Sequence, residues 1–167
     1  MPSLFDTLHK DEPNPLDNIE EILNANSWEF NRMGDNELLV TLTGRYCDYR
    51  LMFLWQSDMR GLQLSVQYDF NINPMNMHKA GKILMTINEQ SWMGHFEINT
   101  SDCVPAFRYT CIFHSANKSA YEDLENIVDI ALAQCETNYA AFNILTSENA
   151  ANDETLPLAL MQTQGAS

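Results

Sequence analysis

Basic residues are scarce in this chain. Its 167 residues include nine Lys and Arg against 23 Asp and Glu, a formal net charge of −14. Phosphate backbones and anionic bilayers repel such a surface, so nucleic acid and membrane are poor partners. Glycine is also sparse: the six glycines stand alone, so no Gly-rich loop is available to cradle a phosphate. Cysteine and histidine number four each, without the close pairs that bind zinc. Cys111 and His114 are three apart in a run read as a strand, which sends them to opposite faces. No cofactor or metal site is expected. No apolar run approaches the roughly 20 residues needed to span a bilayer. The opening residues, Met1-Pro2-Ser3-Leu4-Phe5-Asp6, have neither a basic start nor an apolar stretch, so they do not read as a signal peptide. The expectation is a cytoplasmic protein with reduced thiols.

What is present is ample core material, 45% hydrophobic and 10% aromatic, in two clear periods. Period two dominates residues 37–43, 46–56 and 61–70. The cleanest run sets Leu62, Leu64, Val66, Tyr68 and Phe70 against Gln63, Ser65, Gln67 and Asp69. Strict alternation implies one dry and one wet face, and the short connections between runs allow only antiparallel pairing. A short strand starting at Trp28 and Phe30 precedes them. Two more are expected, through Phe96 and Ile98 and through Phe107, Tyr109, Cys111 and Phe113.

Helical spacing appears three times. Asn14-Pro15 is an N-cap followed by a proline at the first helical position, before Leu16, Ile19, Ile22 and Leu23. Asn73-Pro74 repeats this signal for a helix expected to end at Gly94. Ser119-x-x-Glu122 forms a capping box for a last helix of roughly 27 residues, with a possible break at Thr137-Asn138. The order α-β-β-β-β-α-β-β-α makes a single antiparallel sheet with helices packed on it, an α+β fold. Residues 1–13 read as a flexible lead-in, 14–146 as the domain, and 147–167 as a polar tail in which residues 156–161 form a short docking helix or stay loose.

Reactive constellations are thin. Cys47 beside Asp48, with His95 or His114 brought in by folding, is the nearest approach to an activated thiol. Yet Cys47 shares its expected strand face with Tyr49, Leu51 and Phe53, where burial disfavours the thiolate. Asp48 and Arg50, two apart on one sheet face, can pair. With Arg45 they form either a weak surface ion pair or an anchor for a partner's polar group.

Several segments carry a resemblance: Gly44-Arg45-Tyr46-Cys47-Asp48-Tyr49-Arg50-Leu51, Ile87-Asn88-Glu89-Gln90-Ser91-Trp92-Met93-Gly94-His95-Phe96, Phe107-Arg108-Tyr109, and Cys135-Glu136-Thr137-Asn138-Tyr139-Ala140-Ala141-Phe142. Together they resemble the YbjN family of bacterial proteins, over about residues 14–167. The resemblance implies a fold like that of type III secretion chaperones, often dimeric and binding extended polypeptide, under the label of sensory transduction regulators. It supplies no catalytic motif. The reading is therefore a non-enzymatic, chaperone-like regulatory module, expected to be a homodimer holding a protein partner through Arg45, Asp48, Arg50, Trp55, Trp92 or His95. The alternatives are a sensor with an apolar pocket between sheet and middle helix near Trp55 and Trp92, and, less favoured, a Cys47-dependent hydrolase.

Overall fold

The computed structural model describes residues 14–114, 117–148 and 150. Helix α1 (Pro15–Ala25) begins as its sequence dictates, with the Asn14 side chain accepting from the Leu16 N–H at 3.0 Å. Its buried stripe is Leu16, Ile19 and Leu23. Ser27 then takes a left-handed backbone (φ 58°), which delays β1 (Phe30–Gly34) two residues past the expected Trp28.

β2 (Glu37–Thr43), β3 (Asp48–Gln56) and β4 (Gly61–Tyr68) follow as an antiparallel meander. Cys47 falls just outside β3, because the connection from β2 takes four residues rather than the expected two. After β4, the Asn73 side chain caps a single 3-10 turn that leads into α2 (Met77–Glu89). That helix stops before the expected Gly94. The Asn88 side chain bonds both backbone groups of Phe96, accepting from its N–H at 2.7 Å and donating to its C=O at 2.9 Å. An asparagine side chain thus clamps the helix end to the next strand.

β5 (His95–Ile98) and β6 (Pro105–Ile112) complete the sheet, in the spatial order β1-β2-β3-β4-β6-β5. Helix α3 (Lys118–Asn143) starts from an Asn117 cap, two residues ahead of the expected Ser119, and runs unbroken through Thr137 and Asn138. Asn138 is buried and survives mid-helix by donating to the Gln134 C=O. The lead-in 1–13 and the chain from 151 onward, including residues 156–161, lie outside the described residues.

Among the described residues the order is the expected one, a six-stranded antiparallel sheet with three α-helices. Apolar residues of all three helices join one strand face in a single core that includes Tyr49, Leu51, Phe53, Leu64, Val66, Tyr68, Phe96 and Phe107. Phe142 of α3 reaches the centre, with ring centroids 5.5 Å from Tyr68 and 5.3 Å from Phe96. On the opposite face the register lines up Leu39, Met52, Ser65, Arg108 and His95 across five strands. Among the described residues, no helix is long and apolar enough to cross a membrane.

Candidate functional site

The six residues singled out from sequence do not converge. Arg45 lies in the β2–β3 connection, and Asp48 and Arg50 at the start of β3, while Trp55 sits at the far end of that strand. No Asp48–Arg50 ion pair forms among the described residues; the Asp48 N–H instead approaches Asp69 Oδ2 at 3.3 Å. The Arg45 guanidinium stacks over Tyr46, 5.3 Å from its centroid, and Tyr46 lies flat on Tyr139 of α3 at 5.0 Å. Trp55 faces the core side and is partly buried. Trp92 is 100% exposed, in the loop between α2 and β5. His95 opens β5 opposite Arg108, whose guanidinium binds Glu97 at 2.5 Å.

Cys47 is half-buried. Burial, then the negative charge of Asp69, push its thiol above the ordinary range, and the nearby Tyr49 hydroxyl only partly offsets them. That environment suppresses the thiolate a nucleophile requires. Burial also raises Cys111 and, strongly, Cys135. Among the described residues no group of His, Cys, Asp and Glu is arranged to hold a metal ion.

The feature that sequence reasoning missed is a mismatch of strand lengths. β5 has four residues and pairs only with Pro105–Arg108, whereas β6 continues to Ile112 with β4 on its other side. The chain leaves this edge at Gly94, whose φ of +68° only glycine adopts without strain. A Cβ there would overlap the Phe107 ring and lie 2.7 Å from the Arg108 carbonyl oxygen. The Phe113 N–H donates back to the Arg60 carbonyl on the β4 side. By the alternation of an antiparallel ladder, the N–H and C=O groups of Thr110 and Ile112 therefore face the open side. The signal was available: β5 offers only Phe96 and Ile98 to its alternating face, too few to cover the longer run of β6.

Where a longer β5 would lie, there is instead a groove of about 560 Å³. Tyr109 and Cys111 form its strand wall, Leu124, Ile127 and Ile130 its helix wall, and Met93 one end. Ile112 and Ile130 are 63% and 40% exposed on its rim, and Asp123 stands where α3 begins. Two other cavities differ in character. One of about 240 Å³ lies between α1 and α3, over Leu51 and Phe53. Another, of about 420 Å³, lies on the uncovered sheet face around Ser65, Gln67 and Arg108. None of the three is lined by α2, so the pocket expected between the sheet and the middle helix is not among them.

Among the described residues, these features define an α+β protein built on a one-sided antiparallel sheet, with an apolar groove beside the β6 edge. The chain belongs to the YbjN family, whose model, described as "Putative bacterial sensory transduction regulator", matches residues 15–143. A crystal structure described as YbjN, "a putative transcription regulator from E. coli", is similar to it, with a TM-score of 0.51 at 12% identity over 74% of this chain and 91% of that one. At that identity the likeness speaks for the fold alone. Comparison with curated proteins gives no match.

Proposed function

We propose that this chain is a non-enzymatic, cytoplasmic regulatory module that works by holding a segment of a protein partner, in the manner of a chaperone or adaptor. One observation carries the reading: among the described residues, the edge of β6 past Arg108 has no strand partner and lies beside an apolar groove. Exposed strand edges are ordinarily blunted because they recruit other chains, so an edge kept open beside apolar walls reads as a docking place. The regulator description of the family agrees with it. So does the suppressed Cys47 thiol, which argues against a hydrolase. The net charge of −14 favours regulation through protein contacts over direct contact with nucleic acid.

A photo-crosslinking amino acid placed at Ile130, in the full chain inside its source cell, tests this. A discrete adduct with another protein, absent when the crosslinker sits at exposed Met75 in the 3-10 turn before α2, is the expected result. Loss of any specific adduct at Ile130 would overturn it. The dimeric state that the family resemblance implies is read by sedimentation of the same chain.

The sensor reading draws on the apolar cavity between α1 and α3. Its volume of about 240 Å³ falls below the roughly 300–1,000 Å³ usual for ligand pockets, which ranks it second.

A further inference from the structure

Building on that reading, we infer that the groove takes an extended, cationic-apolar peptide that joins the sheet as a seventh strand beside β6, collinear with β5. The backbone fixes its register. Thr110 and Ile112 present N–H and C=O to the open side, so the residues opposite them form the hydrogen-bonded pairs of an antiparallel ladder. Side chains of those two residues then point to the uncovered sheet face, as those of Thr110 and Ile112 do. The residues opposite Tyr109 and Cys111 point the other way, between β6 and α3, toward Ile127 and Ile130. Two apolar side chains spaced two apart thus enter the groove, which a single helix face would not fill with this spacing.

Charge sets the third position. Helix α3 carries Glu122, Asp123, Glu125, Asp129 and Glu136 against Lys118 alone, and Lys118 reaches Glu122 at 3.8 Å. The cations on the strand side are engaged: Arg108 binds Glu97, and Arg60 donates to the His114 carbonyl. Asp123 lies at the end of the groove near Phe113 and His114. A Lys or Arg opposite Phe113, on the groove side, meets it. The motif is basic-x-apolar-x-apolar, read from the peptide's N-terminus. A second copy of this chain fits less well, because edge-to-edge pairing would bring two acidic α3 helices together at a net charge of −14 per copy.

The probe is the fluorescein-labelled, blocked pentapeptide Lys-Thr-Val-Thr-Leu, which stops short of the place His95 takes opposite Arg108, read by anisotropy against the full chain. Saturable binding is expected, weakened about tenfold when Glu replaces the Lys and about as much when the amide facing Thr110 is N-methylated. The Ile130→Glu variant should lose binding, and Asp123→Lys should reverse the preference between the Lys and Glu peptides, a reversal that misfolding would not produce. No saturable binding, or equal binding of the N-methylated peptide, overturns the inference. If the Ile130 crosslinker still captures another protein in that case, the broader proposal stands and only the strand register falls. An Ile130 adduct to this chain's own residues 151–167, or to a second copy, overturns both.

Discussion

The backbone N–H of Arg45 donates to Glu136 Oε1 at 2.9 Å, joining the β2–β3 connection to α3 across 91 residues of sequence. Around this bond the two most distinctive motifs of the chain meet. Tyr46 stacks on Tyr139, and Tyr49 lies beneath Gly44 against Glu136. The motif Gly44–Arg50 is therefore the lock that holds the long helix on the sheet. Its arginine contributes a backbone amide and a ring contact.

Gly44 is the tightest part of that lock. A Cβ at this position would overlap the Tyr49 ring and stand 2.5 Å from Glu136 Oε1. Tyr49 is fully buried and packed against Tyr68, so it has nowhere to retreat. Gly44→Ala should cost about 1–3 kcal/mol, the usual penalty of overpacking, seen as a lower urea midpoint at unchanged m-value. A wild-type midpoint would show that the connection yields freely and locks nothing.

Two neighbouring tyrosines should respond differently to losing a hydroxyl. Tyr68 Oη donates to the buried Cys135 carbonyl at 2.7 Å, so Tyr68→Phe should cost about 1–2 kcal/mol. The Tyr49 hydroxyl is buried without a well-formed hydrogen bond, although Cys47 and Glu136 lie near it. Tyr49→Phe should be neutral or slightly stabilising, because it removes an unsatisfied polar group and keeps the ring. Matched urea denaturations of the two variants would reveal the difference. Equal losses in both would contradict the assignment.

Much of the sheet was legible because its period-two runs are long and strict. The face of Leu62, Leu64, Val66 and Tyr68 is the buried one, and its register with β3 follows from the same alternation. Helix ends were less legible. Asn88 stops α2 through bonds to Phe96, eight residues on, which no local pattern encodes. The groove was only half legible: the run of β5 is visibly shorter than that of β6, but that the two are neighbours shows only once β6 is seated between β4 and β5. The polar candidates Asp48 and Arg50 share a face but do not pair among the described residues; the Asp48 N–H approaches Asp69 across the β3–β4 side instead.

Glycines at two sites carry opposite expectations. Gly94 has φ +68° and a backbone carbonyl 2.7 Å from where a Cβ would sit, so Gly94→Ala should cost about 2–4 kcal/mol from strain and overlap combined. Gly81 lies mid-helix in α2 with nothing within 4 Å of its virtual Cβ, so Gly81→Ala should add about 0.5–1 kcal/mol. Thermal melts of both variants check the pair. Destabilisation by Gly81→Ala would mean that α2 is not helical there.

Alkaline pH should loosen the fold through its buried acids. Cys135 is fully buried, and burial drives its thiol far above the ordinary 9.0; Cys111 and Cys47 move the same way, as do Tyr68 and Tyr49 from 10.0. Each of these groups stays protonated in the folded chain at a pH where the unfolded chain ionises. Above the unfolded pKa the folded state thus binds more protons, and stability falls as pH rises. The contribution is whole below pH 9.0 and erodes from there upward, at about 1.4 kcal/mol per pH unit for each fully shifted group. Urea midpoints should hold level through neutrality and drop progressively once pH passes the thiol range. In Cys135→Ala that drop should be shallower by one group's share. A midpoint that stayed flat well above pH 10.0, or a slope unchanged in Cys135→Ala, would show that these side chains are not held protonated by the core.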